Sequence, residues 1–274
     1  MFLIVASSLD VASINISEKI ISNYPFQKLS EKFQDHPIYE AAFEGKTIHL
    51  VTLGTESIQA QNLGDFFQNP ELVVFVSKHA SVKGTPTLSV HVPGNLGEAE
   101  MGGLSRMVSV APANPMRNAL ISMQNLRDKM QLQYEVSYEC THHGPSLNVP
   151  TMFVELGSTI EQWNDKEAAG IVAHAVMNAI KGLGQSAVPT VLGIGGPHYN
   201  AKFTRLTVEG NVAFGHIIPK YALAAIDVQM ISQCVERTME KVEYAVLDWK
   251  GIKGDDKTRI KDILNSLNLP FKKA

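Results

Sequence analysis

Cysteine is scarce in this chain, and its scarcity narrows the chemistry that the protein can perform. Only Cys140 and Cys234 occur among 274 residues. Two thiols are too few for a disulfide framework or for a zinc site built from cysteine alone, and a buried thiol is the simpler interpretation of each. Any bound metal would therefore depend on histidine and carboxylate side chains.

Long apolar runs and a strong charge of either sign are also missing. No run of about 18 or more uncharged apolar residues is present, and "MFLIVASSLD" at the start is too short and lacks a basic leader for a secretory signal. We therefore expect a cytosolic protein without a membrane segment. The net charge of -3 argues against a surface that is basic throughout. The segment from Lys250 to Ala274 has seven basic and three acidic residues, a local charge of +4, which is more simply a solvated helix face.

Apolar residues make up 45% of the chain, enough for a sizeable core, and their spacing alternates between strand and helix patterns. "FLIVAS", "ELVVFVSKHAS", "PTVLGIGG" and "VAFGHII" are typical of strands, and "IYEAAFEGKTIHLVTL" predicts a hairpin about Gly45. Helices are predicted over "SEKIISNY" with Ser17 as N-cap, "NPMRNALISMQNLRDKM" with Asn114 as N-cap, and "NDKEAAGIVAHAVMNAIKGL". The sequence thus predicts one three-layer α/β domain over residues 1–274, whose mixed central sheet is largely parallel in its second half.

Four polar motifs follow predicted strands: "SKHAS", "THHGPS", "GIGGPHY" and "GHIIPKY". Ligands of open α/β sheets bind in the crevice beyond the carboxyl ends of the strands. The motifs bring five of the nine histidines to such ends, namely His79, His142, His143, His198 and His216. The sequence therefore predicts a functional site at this edge.

The motif "THHGPS" is the centre of that prediction. Adjacent side chains on an extended chain point to opposite sides, so only one of His142 and His143 reaches a common site unless the turn brings both round. The pair can bind a metal, or can divide into a reactive group and its orienter. Gly144 and Pro145 suit the turn, and Ser146 offers a hydroxyl to a ligand. A polar turn with satisfied histidines is the simpler alternative.

A carboxylate inside an apolar strand is the second signal. Alternation in "PTMFVEL" places Thr151, Phe153 and Glu155 on one face. A buried carboxylate is costly unless it is partnered or its pKa is raised. Glu155 is therefore a candidate general base or metal ligand, with a structural ion pair as the alternative.

The other motifs supply candidate binding groups. The glycines of "GIGGPHY" allow backbone amides to approach an anion, although the spacing matches no dinucleotide or phosphate-loop fingerprint and a tight turn is the alternative. The aromatic ring of "GHIIPKY" is able to stack on a base. The candidate substrate-binding residues are Lys78, Ser81, Ser146, Gly195, Gly196, His216, Lys220 and Tyr221.

Several residues and reaction classes are set aside. Four histidines, His36, His49, His91 and His174, lie within strands, a loop and a helix and are interpreted as structural. A thiol mechanism through Cys140 is kept as an alternative, because a histidine lies two residues away. No serine lies in a G-x-S-x-G elbow, which disfavours a serine hydrolase.

Taken in order, "SKHAS", "LSVHVPGN", "EVSYECTHHGPS", "PTMFVELGS", "GIGGPHY" and "GHIIPKY" resemble the archaeal and plant type of D-aminoacyl-tRNA deacylase, the type related to the plant GEKO protein. The resemblance runs from Met1 to about Leu267. It implies a fold akin to phosphorylases and peptidyl-tRNA hydrolase, hydrolysis of the ester between a D-amino acid and the 3′ end of tRNA, and zinc as cofactor. The matching positions are His79, His142, His143, Glu155, His198 and His216.

Our hypothesis for the chemistry follows from that resemblance. Catalysis is assigned to His142, His143, Glu155 and His198, and metal binding to His79, His142, His143 and His198, with the "GIGG" amides helping a developing oxyanion. A metal-free alternative has a neutral histidine taking the proton from water. We expect a monomer whose partner is tRNA charged with a D-amino acid. A phosphorylase-like or peptidase-like hydrolase of a small substrate, and a non-catalytic nucleic-acid-binding module, are the rival classes.

Overall fold

The computed structural model describes residues 1–184 and 188–274. Within them the strands are β1 (Phe2–Ser7), β2 (Gln27–Phe33), β3 (His36–Phe43), β4 (Lys46–Leu53), β5 (Leu72–Ala80), β6 (Thr87–His91), β7 (Glu135–Tyr138), β8 (Thr151–Ser158), β9 (Thr190–Ile194), β10 (Ala213–Ile218), β11 (Val242–Leu247) and β12 (Phe271–Lys273). The α-helices are α1 (Val11–Asn23), α2 (Ala113–Met130), α3 (Ile160–Trp163), α4 (Lys166–Lys181), α5 (Ala201–Val208), α6 (Val228–Glu236) and α7 (Gly254–Ser266).

The strands form two sheets. The larger has the order β2-β3-β4-β1-β5-β8-β6-β7 and is mixed, since β1, β5 and β8 run parallel whereas β6 pairs antiparallel with β8. The smaller has the order β10-β9-β11-β12, and its pairs are parallel. The α/β class, the mixed pairing, the hairpin about Gly45 and the parallel second half are confirmed. The expectation of one central sheet is wrong, because the second half builds a sheet of its own. The single domain stays a prediction.

A short segment after β7 connects the two sheets. Cys140 donates its backbone N–H to the carbonyl of His198 (2.9 Å), and Thr141 donates to Ile217 on β10 (2.9 Å). The backbone N–H of Asn200 donates a hydrogen bond to the carbonyl of Tyr138 (2.9 Å). The motifs "THHGPS" and "GIGGPHY" are thereby held side by side at the junction.

Alternation along β8 divides its side chains between two apolar layers. Met152, Val154 and Leu156 pack into the main core with α1, α2 and α4. Phe153 faces the other way and stacks on Phe75 at 4.7 Å between ring centroids. The predicted two faces of this strand are confirmed, and Glu155 lies on the Phe153 side.

Two helix starts differ from the prediction. α1 begins earlier than predicted, since Asp10 caps it by accepting a backbone N–H from the first turn (3.1 Å), and Ser17 lies inside the helix. α2 begins at Ala113, one residue before Asn114, and Glu240 accepts both of these backbone N–H groups at 2.9 Å. A capping carboxylate from far along the chain leaves no local sequence signal. None of the described helices has the length and apolar character needed to cross a membrane.

Candidate functional site

A cleft of about 450 Å³, the first cleft, opens where the predicted motifs meet. Its wall comes from the carboxyl ends of β5 and β8, the segment after β7 and the loop after β9. The histidines and carboxylates that line it are Asp10, Glu56, His79, Glu139, His142, His143, Glu155 and His198, with Lys78 and Tyr199 beside them. The structure therefore brings four of the five predicted histidines to one site.

Two buried carboxylates share one histidine at the base of the first cleft. The Nδ1 atom of His79 lies 3.2 Å from Glu139 Oε1 and 3.6 Å from Glu155 Oε2. Ser77 donates its hydroxyl to Glu155 Oε1 at 2.6 Å. Burial opposes a charge on His79, but the two carboxylates outweigh it and raise its pKa to about 10. Burial likewise opposes the charge on Glu139, and its histidine partners hold its pKa well below the ordinary value.

Glu139 also contacts a second histidine. Its Oε2 lies 2.9 Å from His198 Nε2, and the other ring nitrogen of His198 lies 3.3 Å from both Cys140 Sγ and Tyr221 Oη. Burial lowers the pKa of His198, but Cys140 and Glu139 outweigh this and raise it to about 10. Glu139 was missed by the sequence prediction, although it carries the same signal as Glu155, a carboxylate in an apolar strand pattern.

The adjacent histidines of "THHGPS" both reach the site. His143 has a φ of 42°, a left-handed conformation that turns the chain, and the two rings lie 4.3 Å apart. Their Nδ1–H groups donate to the carbonyls of Cys140 (2.8 Å) and Gly144 (2.7 Å), which leaves both Nε2 atoms as acceptors. Burial and neighbouring histidines lower the pKa of His143 to about 4 and that of His142 well below its ordinary value.

His91, interpreted as structural from the sequence, completes this group. Its ring lies 4.3 Å from that of His142 and 4.9 Å from that of His143, and it stacks on Phe153 at 5.1 Å. The side chain is buried, and neither ring nitrogen has a hydrogen-bond partner among the described residues. Its position at the end of β6, another strand end beside the motifs, is the signal that could have identified it.

Three sets of side chains place ligand atoms within 4.8 Å of one another and so fit a metal ion: His91, His142 and His143; Cys140, His142 and His198; and His79, Glu139 and Glu155. The four histidines predicted as metal ligands are distributed among these sets rather than joined in one. The imidazole and thiolate donors of these sets suit zinc.

His216 is not in the cleft. Its side chain is fully buried, with one ring nitrogen 3.1 Å from Thr141 Oγ1 and the other donating to the carbonyl of Arg237 at 3.1 Å. Burial lowers its pKa to about 4. The structure corrects its expected contact with substrate, because His216 supports the strand segment behind the site.

Three further residues predicted to bind substrate use polar groups in hydrogen bonds within the fold. The Ser146 hydroxyl donates to the carbonyl of Met107 (2.8 Å), and this serine lines a separate cavity. Gly195 donates its N–H to Ile218 (2.8 Å), and Gly196 accepts from Lys220 (2.9 Å). Both glycines have a positive φ, so "GIGG" is a tight turn and the Gly195 amide is not free for an oxyanion.

Of the remaining predicted binding residues, Lys78 and Tyr221 line the clefts, whereas Ser81 and Lys220 line neither. Lys78 lines the first cleft with its Nζ 3.4 Å from Glu56 Oε1. Ser81 follows β5, and Tyr199 of the first cleft has its ring edge-on to that of His79 at 5.2 Å. Tyr221 lines a second cleft of about 410 Å³, which shares Met101, His142, His143 and His198 with the first.

The fold and the site together indicate a class of protein. In this α/β protein, buried histidines and carboxylates lie together at strand ends. Such a cluster is typical of a hydrolase that activates water. The family model for D-aminoacyl-tRNA deacylase matches residues 66–272. The chain is 36% identical to the D-aminoacyl-tRNA deacylase of Thermococcus onnurineus and 37% identical to that of Pyrococcus furiosus, in each case over 99% of both chains. This chain therefore belongs to the D-aminoacyl-tRNA deacylase family.

One solved structure shares this fold along the whole chain. The crystal structure of a conserved protein of unknown function has a TM-score of 0.89 at 27% identity and covers 100% of this chain and 95% of that one. The futalosine hydrolase of Helicobacter pylori has a TM-score of 0.41 at 11% identity over 67% of this chain and 99% of that one. The second likeness is too weak to say anything of activity.

Proposed function

We propose that the protein hydrolyses the ester bond of D-aminoacyl-tRNA and releases a free D-amino acid and tRNA. Membership of the family supports this activity, and the partner is then a tRNA charged with a D-amino acid. The observation that carries the chemistry is the position of Glu139, which contacts His79 and His198 in a cleft that His142 and His143 also line.

Three tasks of ester hydrolysis fall to residues of this chain. Water must lose a proton, and in the route without zinc the Nε2 atom of His143 accepts it, because the Nδ1–H group of His143 already donates to Gly144. The carbonyl oxygen gains negative charge, and His79, held protonated between two carboxylates, has a buried Nε2 with no partner among the described residues. The histidine that took the proton from water returns it to the leaving ribose oxygen. Glu139 and His198 position these groups.

We propose zinc as the cofactor, held by His91, His142 and His143. His91 supports this set, since its buried Nδ1 has no partner among the described residues and its Nε2 has only Glu155 Oε1, at 3.7 Å. Zinc on three histidines supplies a Lewis acid and lowers the pKa of water to about 7. In the metal-free alternative the Nε2 atoms of His142 and His143 act on water directly.

The test is release of amino acid from D-tyrosyl-tRNA and L-tyrosyl-tRNA by the purified full chain, with and without a chelator, alongside metal analysis. We expect hydrolysis of the D substrate, sparing of the L substrate, loss of activity on chelation and recovery with zinc. His143→Ala should reduce the rate at least about 100-fold with the fold retained. Activity that survives exhaustive chelation would support the metal-free route. Equal rates on both substrates, or none on either, would refute the proposed function.

A further inference from the structure

The site consists of two clefts that meet at the same histidines. The first holds the buried carboxylates, and the second is lined by residues of the segments 94–101, 141–143 and 221–225. His142, His143 and His198 belong to both, with Met101 between them. A substrate made of two unlike parts joined by the reacting bond matches this arrangement, and an aminoacyl ester of tRNA is such a substrate.

The first cleft is lined by more carboxylates than the second, four against two. The first is lined by Asp10, Glu56, Glu139 and Glu155, with Lys78 as its one lysine. Such a wall disfavours the approach of phosphates, because like charges at close range repel. An amino acid attached through its carboxyl group brings no phosphate. The aminoacyl part therefore suits the first cleft.

The described lining of the second cleft contains no lysine or arginine, and exposed lysines lie on the chain segments next to Tyr221. Tyr221 follows Lys220, whose backbone N–H donates to Gly196 (2.9 Å). A Cβ placed on Gly196 would lie 3.2 Å from Asp248 Oδ2, so this turn adjoins the loop after β11, which carries the exposed Lys250 and Lys253. The acidic residues of the second cleft, Glu98 and Glu100, belong to the 94–101 segment instead. Phosphates of a polynucleotide are thus favoured on the Tyr221 side.

Tyr221 offers an aromatic surface at that side. The residue is 63% exposed, and its hydroxyl is fixed 3.3 Å from both Cys140 Sγ and His198 Nδ1. Its ring is nearly parallel to that of His198, with 11° between the planes and 6.5 Å between the centroids. An exposed ring with one anchored end is suited to stacking on a nucleobase.

We propose that the second cleft receives the 3′-terminal adenosine of tRNA, with its adenine stacked on Tyr221. The ester then lies at His142 and His143, and the D-aminoacyl group occupies the first cleft. Lys220, Lys250 and Lys253 face the phosphates of the preceding nucleotides. This assignment rests on the proposed function and names the part of the substrate that each cleft binds.

The first experiment compares two variants that both lack the hydroxyl, Tyr221→Leu and Tyr221→Phe, on D-tyrosyl-tRNA and on D-tyrosine ethyl ester, which has no adenosine. Tyr221→Leu should lower kcat/KM about 10- to 100-fold more on the tRNA substrate than on the ethyl ester. Tyr221→Phe, which keeps the ring, should lower both to the same extent. Equal losses on both substrates for Tyr221→Leu overturn the adenine assignment and leave the deacylase function standing. If the wild-type protein is inactive on D-tyrosyl-tRNA, the proposed function itself is refuted.

The second experiment concerns the phosphates. The triple variant Lys220→Gln, Lys250→Gln and Lys253→Gln should raise KM for D-tyrosyl-tRNA and reduce the dependence of kcat/KM on salt, since each phosphate contact adds to the salt slope. Lys28→Gln on the edge strand β2 is the control, an exposed lysine far along the larger sheet from the site. An unchanged salt slope in the triple variant, or an equal change in the control, overturns the proposed path of the tRNA.

Discussion

Glu139 is the residue on which the geometry of the site depends most. It is 2% exposed and contacts His79 at 3.2 Å and His198 at 2.9 Å, so a single carboxylate fixes two cationic rings. A buried charge that loses its partner costs several kcal/mol, which ties the three groups together. We therefore expect the site to be as sensitive to this carboxylate as to the histidines proposed to meet substrate.

Glu139→Gln keeps the shape of the side chain and removes its charge. We expect kcat on D-tyrosyl-tRNA to fall about 100-fold with little change in KM, because His79 and His198 lose their orienting partner while the clefts keep their form. Glu71→Gln, an exposed carboxylate paired with the amino terminus, is the control and should behave as wild type. A kcat within about threefold of wild type in Glu139→Gln would contradict the role assigned here.

The buried His216, behind the site, makes the free energy of unfolding depend on pH. Its folded-state pKa of about 4 lies below the ordinary value of 6.5, so the unfolded chain binds more protons between these pH values. Stability contributed by neutral His216 is present above about pH 6.5 and is lost as the pH falls toward 4. From pH 7 to pH 5 the loss should be about 2 kcal/mol. Urea unfolding at the two pH values should show a smaller decrease in His216→Gln than in wild type, and an equal decrease would exclude this histidine as the cause.

At the residue scale the sequence predicted four of the histidines that meet at the first cleft. It missed Glu139, the carboxylate that contacts two of them. Placement after strands identified His79, His142, His143 and His198, because strand ends meet at one edge whatever the order of strands. His216 obeys the same rule but is turned inward by Thr141 and Arg237, contacts that only the tertiary structure provides.

At the scale of elements, the segment 94–101 forms a wall of the second cleft, and Met101 at its end lines both clefts. Gly102 has a φ of 71°, and a Cβ there would overlap the carbonyl oxygen of Ile58, itself a residue of the first cleft. Met101, next to it, accepts a backbone bond from Gly144 (2.9 Å). The position of this wall is therefore set by backbone contacts on both sides.

Gly102→Ala should destabilise the fold by about 1–3 kcal/mol, because the added methyl group meets backbone in a left-handed conformation. Gly97→Ala is the matched control in the adjoining segment 94–101, since its Cβ meets nothing within 4 Å and its φ is not positive. Urea unfolding at pH 7 measures both. Equal stability of the two variants would show that the segment moves aside without cost.

Elements were predictable where the signal is local. Apolar runs located β1, β5 and β10, and periodicity located α4, whose N-cap Asp165 lies directly before it. The strand β12 was missed because "FKK" has no apolar pattern and is defined only by pairing with β11. The cap of α1 was misplaced although Asp10 caps it locally, whereas the cap of α2 was misplaced because Glu240, far along the chain, supplies it.

At the scale of the whole molecule, the site exists only because two sheets meet. His79 and Glu155 come from the larger sheet, His198 follows β9 of the smaller, and the segment around Cys140 bonds to both. A division of strands into sheets depends on long-range pairing, which a single sequence does not encode as a pattern. The motifs were therefore predictable, and their relative placement was not.

The proposed zinc ligands make a prediction for the stability of the entire chain. A ligand that binds only the folded state stabilises it, by about 2.7 kcal/mol at 100 times its Kd, or roughly 5–10 °C in Tm for a chain of this size. We expect zinc to raise the Tm of the metal-free protein by this amount and magnesium to leave it unchanged.

His91→Gln should abolish the zinc-induced shift, since it removes one of three nitrogens that the other two cannot replace. His174→Gln is the control, because His174 lies on α4 and bonds to Tyr24 (2.8 Å) away from both clefts. The comparison uses the shift rather than the absolute Tm, so a less stable variant remains informative. A full shift in His91→Gln would place the ion with Cys140, His142 and His198 or with the carboxylates, and would remove His91 from the metal site.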